Sequence, residues 1–418
     1  MQKNNKRVLC LISLGAILEY YDYTIFIYLA PVIGKSLIPV QDKMMNMTLS
    51  FAIFAIGAFF RPLGGLIFSH IGDIHGRSRT FIYTILLMAV PTLCIAFIPS
   101  SSHIGIWATA LLIFFRILQG TALGGEIPGS IVFGYEVSDI KHKALNASFV
   151  TLGTNVGFLL ASVVCTVLAT VHFAQFDSWR LAFILGGVFG IFSYFLRKSL
   201  TETPAFIEYK KVMVRDYVPL KQLIRHHIKP VIQLIGIGMF LASALAVFTF
   251  YLPTYLSTFY NFPLATLMKF NSYTIVIFMV GSLIAGLYNQ YFGKRFFIGF
   301  ILVFIVFVIW LFLTYPHLKL ESILLIHLVA FLIIGIVNGR LPVLTATFFP
   351  VEVRYTGVAL VYNISFGIVA GSTQMLLTWL ITISGWLWIP ALYLGVFGLL
   401  ALCALLTVNR STLINYRP

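Results

Sequence analysis

The chain has 418 residues, of which 60% are hydrophobic and 10% are charged. Soluble domains carry about 25% charged residues, so the composition excludes an ordinary soluble protein and favours one that crosses a membrane several times. The net charge of +15 would indicate a nucleic-acid partner only if the basic residues formed one solvated face. Their distribution along the chain does not support such a face, and we expect no nucleic-acid partner.

Twelve apolar runs are long enough to cross a membrane, since a hydrocarbon core of about 30 Å needs about 20 helical residues. The first run has no small-residue cleavage site after it, so we interpret it as a retained span rather than a signal peptide. The sequence therefore predicts an all-α membrane protein with twelve transmembrane helices. The predicted spans are 8–33, 46–69, 79–98, 104–136, 141–170, 179–198, 228–257, 266–291, 296–314, 321–348, 355–382 and 386–407.

The longest polar stretch follows the sixth run and divides the chain into six plus six helices. We predict an N-terminal six-helix bundle at 1–198, a cytoplasmic central loop at 199–227 and a C-terminal six-helix bundle at 228–418. Two related halves of this kind are typical of secondary transporters. The sequence thus predicts two pseudo-symmetric bundles.

Basic residues between the spans predict the orientation. With the N-terminus inside, the cytoplasmic segments hold about 20 of the 28 Lys and Arg residues, and the opposite loops hold about five. Positively charged loops stay on the cytoplasmic side. We therefore expect a multi-pass protein of the cell inner membrane with both termini cytoplasmic, and the same bias accounts for the net charge.

Five ionisable residues lie inside the spans of the first half: Glu19, Asp22, Arg61, Arg116 and Glu126. A charge at the bilayer centre costs about 2.5–3.5 kcal/mol on insertion scales, so such residues are few and are usually paired or functional. Counting 1.5 Å per residue from the outer ends of their helices puts Asp22 and Arg116 at similar depth. We predict that Glu19, Asp22, Arg116 and Glu126 take part in proton coupling, with Asp22 as the titrating group. The alternative is a static pair that holds helices together.

A glycine-rich segment, RPLGGLIFSHIGDIHGRSR, joins the second and third spans. Its glycines allow close helix approach, and its acid can accept charge-assisted hydrogen bonds at a neighbouring helix N-terminus. This pattern predicts a cytoplasmic gate. The residues assigned to it here are Gly72, Asp73, Gly76, Arg77 and Arg79.

The spacing Gly72-Asp73-x-x-Gly76-Arg77 resembles the signature between the second and third helices of the major facilitator superfamily. Within that superfamily the chain resembles the metabolite:proton symporters, which include proline/betaine, citrate, α-ketoglutarate and shikimate carriers. The matching stretches are Glu19-Tyr20-Tyr21-Asp22-Tyr23, Arg61-Pro62-Leu63-Gly64-Gly65, Arg116-Ile117-Leu118-Gln119-Gly120, Gly124-Gly125-Glu126, Glu202-Thr203-Pro204-Ala205-Phe206, Arg354-Tyr355-Thr356-Gly357 and Tyr362-Asn363. The resemblance implies the major facilitator fold and transport by alternating access. Three further residues complete the predicted gate: Glu136, Glu352 and Arg354.

Arg340 departs from the family pattern, which has small residues after the glycine that Gly339 matches. One interpretation is that Arg340 extends to the cytoplasmic rim or pairs with Glu352; the other is that it binds a substrate carboxylate in a central cavity. Tyr251 and Tyr255 are candidate cavity aromatics or ordinary packing residues. The predicted substrate-binding residues are Tyr23, Gln119, Tyr251, Tyr255, Arg340 and Asn363.

These features predict a proton-coupled symporter that imports a small polar metabolite bearing a carboxylate, with a proton-independent facilitator or exporter on the same fold as the alternative. The chain ends about eleven residues after the last predicted span, whereas osmosensory members of the resembled family carry a long charged extension. This favours a carboxylate-bearing metabolite over an osmolyte sensor, with a betaine or an amino acid as the open alternative. An enzyme is not expected, because the sequence has no nucleotide-binding glycine loop and no metal-ligand spacing. We expect no cofactor or metal, and a monomer whose partners are its substrate, protons and the lipid bilayer.

Overall fold

The computed structural model describes residues 2–136, 143–170, 177–198, 202, 204–212, 218–288 and 294–408. Within these residues, twelve helices are long and apolar enough to cross a membrane, which confirms the predicted fold class. We number them α1 to α12 in chain order. They are α1 (Gln2–Leu37), α2 (Lys43–His75), α3 (Arg77–Ala96), α4 (Ile106–Glu136), α5 (Lys143–Thr170), α6 (Trp179–Arg197), α7 (Pro219–Phe259), α8 (Leu264–Leu287), α9 (Lys294–Thr314), α10 (Leu320–Phe348), α11 (Arg354–Ser384) and α12 (Ile389–Thr407).

Helix ends follow local chemistry. Asp42 accepts a hydrogen bond of 2.7 Å from the backbone N–H of Met45 and caps the start of α2, as short polar side chains do for the free N–H groups of a first turn. Gly76 has φ of +115° and Gly385 has φ of +73°. Because such positive values favour glycine, these two residues end α2 and α11.

The second helix is longer than its predicted span. Its apolar run ends near residue 69, but α2 continues to His75, and α3 begins only two residues later at Arg77. A span predicted from hydropathy ends at the first polar residues, whereas the helical hydrogen bonds of the backbone continue beyond the apolar run. Gly72 and Asp73 therefore lie on a helix, and the connection itself is Gly76 alone.

The polar stretch between the halves also contains helix. A short helix spans Pro204–Val212, and α7 begins at Pro219 rather than at the predicted residue 228. The backbone leaves helical geometry at His227 (φ −129°, ψ 19°). The predicted start thus coincides with a kink inside a longer helix. The rest of the predicted loop, 199–201, 203 and 213–217, lies outside the described residues.

Helix pairing repeats between the two halves. In the first half α2 packs on α4, α1 on α5 and α3 on α6; in the second, α8 packs on α10, α7 on α11 and α9 on α12. The halves meet along α5 with α8 and along α2 with α11. This is the arrangement expected of two related six-helix bundles around a pseudo-two-fold axis.

Glycines form the closest helix contacts in equivalent places. A side-chain carbon at Gly120 of α4 would strike the backbone carbonyl of Gly57 in α2, and one at Gly335 of α10 would strike that of Phe278 in α8. Small residues at such crossings let membrane helices approach to backbone contact. Glycine-mediated backbone contact therefore holds both helix pairs together, α2 with α4 and α8 with α10.

Two π-helical segments interrupt the helices that pair across the C-terminal half, at Ala246–Tyr251 in α7 and Asn363–Val369 in α11. Each segment inserts an extra residue into the helical turn and rotates the side chains beyond it. Such segments occur frequently at functional sites. Both lie beside the space between the bundles described below.

Candidate functional site

The carboxylate of Asp22 lies at the centre of a polar network inside the first bundle. Asp22 is 3% exposed, and its Oδ2 accepts hydrogen bonds from Thr92 Oγ1 (2.7 Å) on α3 and Gln119 Nε2 (3.0 Å) on α4. Its Oδ1 makes no hydrogen bond. One oxygen of a buried acid is thus held by two helices, and the other is free to take a proton.

Arg116 reaches this carboxylate through Gln119. Arg116 Nη1 donates to Gln119 Oε1 over 2.8 Å, and its guanidinium also lies over the rings of Phe26 (4.4 Å) and Phe54 (5.1 Å). The sequence suggested a direct pair of Asp22 with Arg116. The structure places the two at the same level but joins them by the amide of Gln119, which was predicted to contact substrate instead.

Glu126 belongs to a second charged group. It pairs with Arg197 at the end of α6 and accepts a hydrogen bond from Thr84 of α3. Glu19 is 5% exposed and neither of its oxygens has a hydrogen-bond partner. Arg197 and Arg61 are close enough to interact with it electrostatically.

A small cavity of about 20 Å³ connects these acids. Glu19, Asp22 and Glu126 all line it, together with Thr84 and Thr92. This volume holds about one water molecule. The three predicted proton-coupling carboxylates therefore face one internal space of the first bundle, between α1, α3, α4 and α6.

A separate cavity of about 30 Å³ lies between the two bundles. Its lining comes from α1, α4, α5, α7, α10 and α11, which are the helices on both sides of the bundle interface. We call it the central cavity. Its polar and aromatic lining residues are Tyr20, Thr151, Thr154, Asn155, Phe158, Asn338, Tyr362 and Phe366.

Aromatic rings cluster at the first-bundle side of the central cavity. Tyr20 packs edge-on against Phe158 with ring centroids 4.9 Å apart, and Phe158 packs in the same way on Phe250 of the α7 π-segment (5.1 Å). Tyr23, a predicted substrate-binding residue, is 6.1 Å from both Tyr20 and Phe250. Ring faces of this kind attract ligand cations.

The bundles are joined at the membrane face where α1 begins and α12 ends, which we call the terminal face. Arg354 at the start of α11 forms a 2.9 Å ion pair with Glu136 at the end of α4. Asp73 of α2 accepts a 2.9 Å hydrogen bond from Thr356 of α11. These contacts bring three predicted gate residues, Asp73, Glu136 and Arg354, into one interface.

Two further contacts continue this interface towards the central cavity. Tyr355 donates to the carbonyl of Gly125 (2.6 Å), and Asn363 donates to that of Gly124 (2.7 Å). A side chain at Gly72 would strike the Tyr355 ring. Asn363, predicted to bind substrate, thus contacts the α4 backbone across the bundle interface.

The remaining predicted gate residues lie at the edge of this interface. Gly76 forms the turn between α2 and α3, where Glu202 accepts hydrogen bonds from the backbone N–H (3.1 Å) and hydroxyl (3.0 Å) of Ser78. Glu202 therefore lies at the start of α3, whereas Asp73 accepts its hydrogen bond from Thr356 at the start of the neighbouring helix α11. Arg79 and Glu352 are exposed, and the Arg77 side chain lies outside the described residues.

The opposite membrane face is closed by a different set of hydrogen bonds between the bundles. Tyr28 of α1 donates to the carbonyl of Thr249 in α7 (3.1 Å), and Asn271 of α8 donates to the Tyr28 hydroxyl (2.6 Å). Contacts at both faces leave the central cavity closed. A larger solute can enter only when one set separates.

None of the six predicted substrate-binding residues is in the lining of the central cavity. Three of them, Tyr251, Tyr255 and Arg340, contact other groups of the second bundle instead. Tyr255 donates to the carbonyl of Leu387 (2.7 Å) and Tyr251 accepts from Thr378 (3.3 Å), both inside the second bundle. Arg340 lies over the ring of Phe297 in α9 at 5.8 Å. On α10 the neighbouring positions Asn338 and Pro342 face the cavity instead, because two residues of helix turn a side chain to the far side.

Sequence reasoning missed residues that complete both groups. Thr84 and Thr92 are eight residues apart on one face of α3, a helical period that could have indicated a polar stripe. Arg197 is the second-last residue of the predicted span 179–198, and its place at a helix end gave no reason to single it out. Asn155 lies in the apolar middle of α5, and nothing in its immediate sequence distinguishes it.

Two helical bundles that close around a cavity at both membrane faces, with buried charges beside it, define a transporter of small solutes. The described residues contain no group of three or more His, Cys, Asp or Glu side chains arranged to hold a metal ion. Comparison with known proteins gives the family.

The family model described as Major Facilitator Superfamily matches residues 12–372. The glycine betaine/proline/ectoine/pipecolic acid transporter OusA of Dickeya dadantii (strain 3937) is 31% identical over 416 residues, covering 93% of this chain and 80% of that protein. The proline/betaine transporter of Escherichia coli (strain K12) is 29% identical, covering 96% of this chain and 82% of that protein. The chain belongs to the major facilitator superfamily, as its motifs predicted.

Solved structures show the same fold. The proton:xylose symporter XylE bound to 6-bromo-6-deoxy-D-glucose superposes with a TM-score of 0.78 at 15% identity, covering 98% of this chain and 97% of that one. The human organic anion transporter MFSD10 gives a TM-score of 0.74 at 14% identity, covering 96% of this chain and 99% of that one. These likenesses show the major facilitator fold. From the family match and the twelve apolar helices of the described residues, it follows that the chain is a multi-pass membrane transporter.

Proposed function

We propose that this protein is a proton-coupled symporter that imports a small zwitterion bearing a carboxylate and an ammonium group. The observation that carries the proposal is the Asp22 carboxylate, buried with Oδ2 bound by Thr92 and Gln119 and with Oδ1 unpartnered. A proton can add at Oδ1 without breaking either hydrogen bond. Ionisable groups are costly inside a membrane and mark proton relays.

Protonation of Asp22 changes the contacts between α1, α3 and α4. With a charged carboxylate, Gln119 links the negative charge of Asp22 to the positive charge of Arg116. A neutral acid weakens these charge-assisted hydrogen bonds, so α1 is held less firmly against α4. Tyr20, two residues before Asp22 on the same helix, lines the central cavity, which couples the two sites through α1.

The substrate class is supported by the cavity and by the relatives. The rings of Tyr20, Phe158, Tyr362 and Phe366 line the central cavity and suit the ammonium group of a zwitterion. The similar bacterial proteins are named as transporters of proline, glycine betaine and related solutes. A carboxylate-bearing substrate of this kind also agrees with the sequence-based expectation.

In this proposal the terminal face is cytoplasmic and the protein lies in the inner membrane with both termini inside. The loop charges support this orientation. The contacts of Arg354 with Glu136 and of Thr356 with Asp73 then form the inner gate, and the Tyr28–Asn271 contact forms the outer one. Import requires the outer gate to open when Asp22 is protonated and the inner gate to open after substrate binds.

Uptake into proteoliposomes tests the proposal. Labelled proline and glycine betaine are offered at an inward proton gradient, with and without a protonophore, and labelled xylose serves as a control solute. The proposal predicts accumulation of a zwitterion above its external concentration that the protonophore abolishes. Equilibration without accumulation would instead indicate a proton-independent facilitator, and uptake of neither zwitterion would overturn the substrate class.

A further inference from the structure

Asn155 has an unsatisfied acceptor at the central cavity. It lies on α5, is 0% exposed and lines the cavity. Its Nδ2 donates to Ser282 Oγ of α8 over 3.4 Å, while its Oδ1 has no hydrogen-bond partner. Most buried side-chain polar atoms in proteins have a partner, so this oxygen needs explanation.

The orientation of the amide follows from its neighbours. The Ser282 hydroxyl lies within hydrogen-bonding distance of the carbonyls of Phe278 (3.1 Å) and Gly335 (3.2 Å), so its hydrogen is engaged and its oxygen accepts. The nitrogen of Asn155 must therefore face Ser282, and the oxygen takes the other direction. A flipped amide would place two acceptors against each other.

Among the described residues, no group donates a hydrogen bond to this oxygen. Thr154 Oγ1, on the neighbouring residue, donates to the Thr151 carbonyl over 2.7 Å instead. The donor for Asn155 Oδ1 must then come from a molecule in the cavity. Its volume of about 30 Å³ admits water in the closed state, and a solute when the bundles separate.

We propose that Asn155 Oδ1 accepts a hydrogen bond from an N–H group of the bound substrate and selects primary and secondary ammonium compounds over fully methylated ones. This inference rests on the proposed zwitterion function and deepens it. Aromatic rings attract methylated and unmethylated ammonium groups alike, so they do not distinguish the two. The Asn155 Oδ1 acceptor does distinguish the two kinds of ammonium group. A fully methylated nitrogen has no N–H to donate, so this oxygen stays buried and unpaired when a methylated ligand binds.

Equilibrium binding to the purified full-length protein in nanodiscs tests the inference with a matched ligand pair, proline and N,N-dimethylproline. The two share a ring and a carboxylate and differ in N–H groups. The wild type should bind proline about tenfold or more tightly, the strength expected of one hydrogen bond to a charged donor. Asn155→Leu should weaken proline binding by about the same factor and change dimethylproline binding less than threefold.

Two further variants keep the test decisive. Asn338→Leu removes the other amide that lines the cavity and should leave the ratio of the two affinities unchanged. Asn155→Asp keeps an acceptor and should retain the preference for proline, which covers the case in which Asn155→Leu does not fold.

Each remaining outcome is informative. Equal wild-type affinities for the pair, or an equal loss of both in Asn155→Leu, would overturn the role of Asn155 while leaving zwitterion transport intact. Binding of neither ligand would overturn both the role of Asn155 and the proposed substrate class.

Discussion

Asp22→Asn separates proton coupling from transport. The two hydrogen bonds that Asp22 Oδ2 accepts from Thr92 and Gln119 can be kept by the amide oxygen, and the amide nitrogen takes the place of Oδ1, which has no partner. Both hydrogen bonds persist, but each weakens from a charge-assisted bond to a neutral one worth about 1 kcal/mol. Removal of a buried charge offsets that loss. We therefore expect the variant to fold with a change in stability of less than about 1 kcal/mol, in a form that imitates the protonated acid.

The functional effect should be much larger than the structural one. A pH difference of about two units supplies about 2.7 kcal/mol per proton, which supports roughly hundredfold accumulation for one proton per substrate. Asp22→Asn should reduce this accumulation to equilibration, because the carrier no longer takes or releases the proton. Exchange of labelled for unlabelled substrate, which needs no net proton movement, should continue.

The assay compares accumulation and exchange in the same proteoliposomes. Asp177→Asn makes the same chemical change at an exposed carboxylate outside the network, 47% exposed beside Arg180, and should behave as the wild type. Gradient-driven accumulation that survives in Asp22→Asn would refute the role of Asp22. Loss of both accumulation and exchange in a folded protein would show that Asp22 supports binding or movement rather than coupling.

Three more predictions concern the gate and the packing. Arg354→Gln removes a 2.9 Å ion pair and two carbonyl hydrogen bonds at the terminal face, so the gate loses about 1.5 kcal/mol or more of stabilisation. Hydrogen exchange of the backbone amides at the start of α11 should rise by roughly tenfold. Unchanged exchange would count against the gate. Arg197→Gln leaves Glu126 buried without its cation and should cost about 3–5 kcal/mol; thermal unfolding should show the loss, most of which Arg197→Gln combined with Glu126→Gln should recover. Gly120→Ala places a methyl group against the α2 backbone and should lower the yield of folded protein, whereas Gly395→Ala, with nothing within 4 Å, should not.

The fold could be predicted because membrane insertion imposes long apolar helices. Each predicted span overlaps one observed helix, and the motif around Gly72 and Asp73 indicated the family before any comparison. The errors occur where helices leave the hydrocarbon core: α2 continues to His75 and α7 begins at Pro219. Hydropathy is insensitive to such extensions, since the backbone can stay helical in polar surroundings.

The candidate site could be predicted only in part, for a related reason. Buried charges such as Asp22 and Arg116 stand out in an apolar sequence, and counting residues along their helices gives their depth. The direction of a side chain around its helix, and the partner it meets, depend on packing between helices distant in sequence. Three features therefore became visible only in three dimensions: the Gln119 amide between those two charges, the pairing of Glu126 with Arg197, and the orientation of Arg340 towards Phe297.

The central claim is that substrate and proton cross the membrane together. The most direct test uses proteoliposomes that contain a trapped pH-sensitive dye, with no imposed pH difference, to which proline or glycine betaine is added outside. The account predicts that the lumen acidifies as labelled substrate enters, and that neither an added sugar nor Asp22→Asn proteoliposomes give this signal. Substrate entry without acidification in the wild type would contradict it and would leave the buried acids as structural groups of a facilitator.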